Sequence, residues 1–383
     1  MSDRFNISVS DISRNGLQRD HRLDFLRGLC LIDMLLVHLA YQNVQFGTVL
    51  GSILAYTRFA AGGFIFISGF SIGVIFLPRA QDPSRRAKTH LGLMRRALYI
   101  LVVQYLSALG LLMLAVLRGG QIGTQGPWNA LRQVLLLREG GDLLPFYVMM
   151  IAVSPFLLEM LRRRFGWVLV MMGSAGLFIW GLGHPWVLAL AVHQNFPPVL
   201  WQMLFVFGLV CGAAWPKYQN VARGWKISMA IVAWAIFALL FVSEYSSDFG
   251  LPHLNLGLTF VKVPLSSGEA LRYLSFILGI LAATDLLWQW VQKIPGGGFV
   301  QTLGRKSLPV YVVHLWVVEA AGSLASSWWW MGRWQILLAP ICLAILWGFA
   351  LLTDLSIPLP RRRPDQWTVP VFNPRETALS AAQ

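Results

Sequence analysis

The chain has 383 residues, of which 56% are hydrophobic and 13% are charged, and its mean hydropathy is +0.59. A soluble domain of this length does not need so apolar a composition, and an integral membrane protein is therefore expected. The net charge of +14 would suit nucleic acid, but the basic residues stand in short segments between apolar stretches rather than in one aromatic-interleaved patch. Membrane lipids with anionic headgroups, and not nucleic acid, are the expected partners.

Residues 1–22 are polar, and they contain no apolar region that ends at a small-residue cleavage site. They are expected to remain attached as a cytoplasmic segment. Residues 23–353 form the predicted transmembrane domain, and the proline-rich residues 354–383 are predicted to be an irregular cytoplasmic tail. The three cysteines lie in apolar segments without metal-ligand spacing, so they are interpreted as packing residues and no metal is implied.

Ten stretches are long and apolar enough to cross a bilayer as helices, and an all-α fold is therefore predicted. They cover residues 23–41, 59–77, 97–117, 143–161, 166–182, 198–215, 227–243, 270–291, 308–324 and 335–353. If the N-terminus is cytoplasmic, 23 of the 31 Lys and Arg residues fall on the cytoplasmic side and five fall outside. This asymmetry follows the positive-inside rule and predicts that both termini are cytoplasmic.

The first apolar segment carries Arg27 and His38, eleven residues apart. On an α-helix, eleven steps return to within roughly 20° of the starting direction, so the two side chains share one face about 16 Å apart. One interpretation is a site that is reached from both sides of the membrane. The alternative is structural: Arg27 extends to the interface or pairs with Asp24, while His38 hydrogen-bonds another helix.

The second apolar segment contains the glycine-rich sequence AAGGFIFISGFSIG. Close helix packing is the simpler explanation of its glycines, with Ser68 and Ser71 bonding between helices. The functional alternative is that Gly69 interrupts the helix, so that backbone donors and the Ser68 hydroxyl face a developing oxyanion. Ser68 is not the central serine of a GxSxG motif, the arrangement that would make it a nucleophile.

Depth in the membrane, counted from the cytoplasmic helix ends at 1.5 Å per residue, ranks the other polar residues. His38 lies at about 22 Å and Glu319 at about 18 Å, whereas His314 lies at about 10 Å. Glu319 is therefore the preferred residue to orient His38. The open alternative is that Glu319 pairs with Arg58 or Arg333 near the outer surface.

Two further acidic residues are placed by the same reasoning. Asp285 lies at about 10 Å, level with His314, and the two are predicted to form a separate pair in the cytoplasmic half. That pair would be structural or would line a donor channel. Asp33 points about 140° away from His38 on the same helix, which disfavours direct pairing between them.

A family resemblance is carried by five segments: RDHRLDFLRGLCLIDMLLVHLA, AAGGFIFISGFSIG, DLLPFYVMMIAVSPFLLEMLRR, FPPVLWQMLFVFGLVCGAAW and LGRKSLPVYVVHLW. Together they resemble the OpgC family, inner-membrane proteins that succinylate osmoregulated periplasmic glucans. That family belongs with the acyltransferase 3 group, whose marker of a basic residue followed by a histidine corresponds here to Arg27 and His38. OpgC proteins tend to have an aspartate directly before this histidine, where this chain has Val37.

The resemblance implies transfer of an acyl group, with succinyl favoured, from a cytoplasmic acyl-coenzyme A to a periplasmic glucan or another glycan hydroxyl. Acyl-coenzyme A would be a co-substrate, and no bound cofactor is implied. Acetyl transfer to a cell-envelope polysaccharide or a lipid-linked sugar is the nearest alternative. A transporter or flippase is the alternative from another class, but the chain shows no inverted repeat of the kind expected for it.

The roles that this chemistry requires are assigned as follows. His38 would act as a general base or carry the acyl group, with the first role preferred. Arg27 lies near the basic loops and would hold the phosphates or pantetheine of the donor. Glu319 completes the catalytic candidates. The candidates for donor binding or oxyanion stabilisation are Arg58, Ser68, Asp24, His314 and Asp285.

Loops on the outer side combine Trp, His, Asn, Asp and Tyr, a composition that suits stacking on sugar faces and hydrogen bonding to hydroxyls. The alternative is an aromatic belt at the membrane interface. That explanation fits the cluster Trp328, Trp329, Trp330 and Trp334 best. The candidates for contact with the acceptor are Trp186, His193, Asn195, Asp248, His253 and Asn255.

Overall fold

The computed structural model describes residues 20–42, 44, 51, 54, 56, 59–117, 143–184, 196–252, 254–327 and 329–355. These residues form helices and loops, with no β-strand among them. The α-helices are α1 His21–Tyr41, α2 Ala60–Gln81, α3 Pro83–Leu117, α4 Leu143–Leu161, α5 Gly166–Leu182, α6 Pro198–Gln219, α7 Arg223–Tyr245, α8 Ser267–Val291, α9 Gly297–Arg305, α10 Ser307–Ser327 and α11 Leu338–Leu355. Two 3-10 helices cover Ser246–Phe249 and Trp329–Leu337.

Several helices begin where the sequence supplies a cap or a proline. Asp20 accepts a hydrogen bond from the backbone N of Arg22 at the start of α1. Pro198 is the first residue of α6, and Pro83 is the first residue of α3. A proline suits the first helical position, because its missing N–H would have no partner within the helix.

Within the described residues, eight helices are long and apolar enough to cross a membrane: α2, α3, α4, α6, α7, α8, α10 and α11. This confirms the prediction of an all-α integral membrane protein. Each of the ten predicted segments coincides with a helix, but α5 has only 17 residues, and every 18-residue window of α1 contains at least three charged residues. The count of ten spans and the side on which the termini lie stay predictions.

The outward-facing helix surfaces are apolar. Leu106 on α3 is 65% exposed, Met172 on α5 is 67% exposed and Ile231 on α7 is 63% exposed. A soluble protein rarely exposes large contiguous apolar surface, whereas a bilayer solvates it. These surfaces are therefore the ones expected to face lipid.

Helices α2 and α6 pack with their backbones in contact. A Cβ atom added to Gly69 would lie 2.0 Å from the carbonyl O of Phe205, and one added to Gly212 would lie 2.1 Å from the carbonyl O of Phe70. The glycines are therefore required for this contact, as the packing explanation predicts. Helix α2 runs without interruption through Gly69, so the alternative in which Gly69 breaks the helix is wrong.

Ion pairs and hydrogen bonds show which helix ends lie together. Asp285 near the end of α8 pairs with Arg22 at the start of α1 and with Lys226 at the start of α7. Lys306, just before α10, donates to the carbonyl O of Thr353 near the end of α11. We call this side of the helix bundle the basic end.

The opposite side of the bundle contains the loop between α7 and α8 together with the starts of α2, α4 and α6. Arg272 in the first turns of α8 pairs there with Glu244 at the end of α7 and with Glu269. We call this side the cavity end, because the cavity described below reaches it.

Candidate active site

A cavity of about 520 Å³ reaches from the cavity end into the middle of the bundle. Its volume is within the range of small-molecule sites in proteins. The wall is mostly apolar, and its polar side chains are those of Asp33, His38, Tyr41, Lys262 and Tyr311. The arrangement can admit a substrate from one side of the membrane and present it to a small set of polar groups.

His38 on α1 contacts a second histidine on α10. Its Nδ1 lies 3.1 Å from Nε2 of His314, and the two rings are nearly parallel, with centroids 5.2 Å apart. His314 is fully buried, and its Nδ1 hydrogen-bonds the carbonyl O of Tyr311, three residues earlier on α10. The two imidazoles and this carbonyl form a continuous chain that leads from the interior of the protein to the cavity.

Asp33 fixes α2 against α1 beside the cavity. Its Oδ2 accepts a hydrogen bond of 2.9 Å from the backbone N of Ala60, the first residue of α2. Phe59 stands at the N-cap position and makes no side-chain cap, so the carboxylate of a neighbouring helix supplies the missing acceptor. Asp33 is only 7% exposed. The sequence did not indicate that Asp33 and His38 line one cavity.

Lys262, in the loop between α7 and α8, lines the cavity. Ser266 holds this loop, because its Oγ accepts from the backbone N of Val261 at 2.8 Å and donates to the carbonyl O of Thr259 at 2.5 Å. Gly268 also donates to the Thr259 carbonyl. A lysine in a connecting loop gives no periodic signal, which is why sequence reasoning missed it.

Arg27 joins α1 to α2 nearer the basic end than His38 does. Its Nη2 donates to Oγ of Ser71 at 2.5 Å, and Oγ of Ser71 donates to the carbonyl O of Ile67 at 2.6 Å. Its Nη1 lies 3.6 Å from Oδ1 of Asp24, which is the ion pair of the structural alternative. The Arg27 side chain is 18% exposed and does not line the cavity of His38.

The comparison with protein families gives a match that spans every helix from α1 to α11. A family model described as "OpgC protein" matches residues 19–356. The chain belongs to the OpgC family. Membership suggests an acyltransferase of glucans. A comparison with curated proteins found no match.

The position of His314 in this OpgC chain differs from the depth ranking because of helix α9, which was not predicted as a separate helix. Gly304 on α9 packs on the backbone of α1, where an added Cβ would lie 2.7 Å from the N of Gly28. His38 follows Gly28 by ten residues, and His314 follows Gly304 by ten residues. The two histidines thus lie the same number of residues beyond this contact, although α9 ends at Arg305 and α10 begins at Ser307.

Two acidic residues were predicted to pair with these histidines. Asp285 lies at the basic end with Arg22 and Lys226, where it lines a second cavity of about 280 Å³. Its predicted pairing with His314 is therefore wrong. Glu319 is exposed, and its Oε2 accepts from Nε2 of Gln42 at 3.5 Å. His314, which the depth ranking placed below Glu319, is the residue that contacts His38 Nδ1.

The acceptor candidates are described only in part. Asp248 lies at the cavity end in a 3-10 helix, where its Oδ2 accepts from the Tyr56 hydroxyl at 3.4 Å. Asn255 closes a local turn by accepting from the backbone N of Gly257. The predicted site residues that lie outside the described residues are Arg58, Trp186, His193, Asn195 and His253.

Proposed function

We propose that this OpgC chain transfers an acyl group, with succinyl favoured, from cytoplasmic acyl-coenzyme A to a hydroxyl of a periplasmic glucan. The observation that carries this proposal is the position of His38 in the wall of a substrate-sized cavity inside a membrane domain of the OpgC family. An imidazole can take a proton from a hydroxyl near neutral pH. Supported by a second buried imidazole, His38 is the best-placed base among the described residues.

In the proposed reaction, His38 takes the proton of a glucan hydroxyl as its oxygen attacks the thioester carbonyl. The new C–O ester bond forms, the C–S bond breaks, and coenzyme A leaves as a thiolate that then receives the proton from His38. The apolar wall of the cavity excludes water, which would otherwise hydrolyse the thioester. The apolar side chains of this wall include Val37, Leu143, Phe196 and Leu315.

The donor is proposed to reach the site from the basic end. Positive charge is favoured on the cytoplasmic side of a membrane protein, and Arg22, Lys226 and Lys306 lie at that end. Arg27 stands between the basic end and His38 on the same helix, where its planar guanidinium suits a phosphate or carbonyl oxygen. This arrangement supports a chain that spans the inner membrane, with the basic end in the cytoplasm.

Lys262 supports succinyl over acetyl as the transferred group. A succinyl chain ends in a carboxylate, and Lys262 is the basic side chain among the described residues that line the cavity of His38. An ammonium group stabilises a carboxylate in a partly dry site, whereas an acetyl group offers it no charge. The neutral acetyl group therefore gains nothing from Lys262.

The proposal is tested by replacing His38 with Gln in the full chain, purified in detergent, with succinyl-coenzyme A and periplasmic glucan as substrates. We expect normal accumulation and melting but a loss of acyl transfer of at least about a hundredfold, as for removal of a general base. Mass spectrometry of the glucan measures the product. The matched control is His184→Gln, because His184 stacks on Trp180 and does not line the cavity.

A normally folded H38Q variant that still modifies the glucan at the control rate would show that His38 is not the base. If neither the unmodified protein nor the control transfers an acyl group, but the protein moves glucan or lipid across a vesicle membrane, the transporter alternative takes the place of the enzyme.

A further inference from the structure

We propose that His314 is a positioning residue that determines which nitrogen of His38 acts as the base: it holds His38 with the proton on Nδ1 and the lone pair on Nε2. This inference rests on the proposed function, because it assigns the reacting atom of the same site. Neither the residue pattern nor the family match indicates it; it follows from two hydrogen bonds in the structure.

The assignment begins at the Tyr311 carbonyl. A carbonyl oxygen can only accept, so Nδ1 of His314, which bonds to it, carries a proton. A neutral imidazole has one N–H and one lone pair, and the lone pair of His314 therefore lies on Nε2. That nitrogen is 3.1 Å from Nδ1 of His38. Nδ1 of His38 must then be the donor, and the lone pair of a neutral His38 lies on Nε2.

The argument requires a neutral His314, and its surroundings favour that state. The side chain is fully buried between α1 and α10, with the apolar Val310 and Val318 one turn before and after it on the same helix. Burial of a charge without a paired counter-charge is costly. Among the described residues, the titratable side chains in ring contact with His314 are the phenol of Tyr311 and the imidazole of His38, and neither is a carboxylate that would stabilise a cation.

Three variants distinguish whether His314 acts through its hydrogen-bond acceptor or only through the size of its side chain. His314→Gln can keep an acceptor oxygen near the position of Nε2, His314→Asn keeps a polar group only near Nδ1, and His314→Leu keeps neither. In the purified full chain, we expect H314Q to retain kcat within about threefold and the other two to lose at least about tenfold. The KM values for succinyl-coenzyme A and glucan should change little, because His314 does not line the cavity.

Nitrogen-15 NMR of histidine-labelled protein reads the tautomer directly, and the His38→Gln variant assigns the His38 signals. We expect His38 with a protonated Nδ1 in the unmodified protein and a mixture of tautomers in the Asn variant. A protonated Nε2 on His38 in the unmodified protein would overturn the inference, whether or not any variant folds.

Failure of this inference differs from failure of the proposed function. If H38Q abolishes transfer while all three His314 variants keep the full kcat, His38 stays the base and His314 is only a packing residue. If H38Q is fully active, His38 is not the base, and the inference about its reacting nitrogen fails although acyl transfer itself still occurs.

Discussion

At the scale of single residues, the site combines groups with distinct chemistry in one apolar cavity. His38 supplies a base and Lys262 supplies a positive charge. The carboxylate of Asp33 accepts a hydrogen bond from the first backbone N–H of α2. The sequence indicated His38 through its position in an apolar segment. It could not indicate Lys262, because nothing in the spacing of a loop residue shows which cavity the loop covers.

Lys262 gives a test of the acyl group. We expect Lys262→Gln to lower the preference for succinyl-coenzyme A over acetyl-coenzyme A by about tenfold, which corresponds to the loss of roughly 1.4 kcal/mol of contact with a carboxylate. Lys262→Arg keeps the charge and should keep most of the preference. Competition between the two donors, followed by mass spectrometry of the glucan, measures this preference. An equal loss of acyl transfer from both donors would contradict the proposed contact between Lys262 and the succinyl carboxylate.

At the scale of helices, the apolar segments predicted every position where a long helix forms, because about 20 apolar residues are what a bilayer requires. Helix α9 escaped prediction as a separate element, since its nine residues are too few for a span. It nevertheless packs closely on α1 at Gly28 and Gly304, directly before α10 begins. The meeting of His38 with His314 was unpredictable for that reason: depth counted from helix ends ignores where neighbouring helices touch.

The contact between α2 and α6 gives a test of the fold. We expect Gly69→Ala to lower the stability of the protein by about 1–3 kcal/mol, because the added Cβ would overlap the carbonyl O of Phe205. Gly173→Ala on α5 is the control, since an added Cβ there meets nothing within 4 Å. Thermal unfolding of the detergent-purified proteins measures the difference. Equal melting temperatures for the two variants would show that α2 and α6 can separate without cost.

At the scale of the whole molecule, the two ends of the bundle offer different chemistry. The basic end holds Arg22 and Lys226 around Asp285, whereas the cavity of His38 reaches the other end. An enzyme that takes an anionic donor from the cytoplasm and serves a periplasmic acceptor needs this division. The charge count along the sequence predicted the asymmetry, but the cavity became visible only in the packed helices.

The division predicts the orientation of the chain. Reporters fused after Pro78 and Arg163 should report cytoplasm, because both residues lie near the basic end, and a reporter fused after Ser247 should report the periplasm. A fusion at Gln383 tests the predicted cytoplasmic C-terminus. If the Ser247 fusion instead reported cytoplasm, the cavity of His38 would open toward the cytoplasm. A periplasmic glucan could then not reach the base, and the acceptor would have to be a cytoplasmic hydroxyl compound, whatever the activity of the His38 variants.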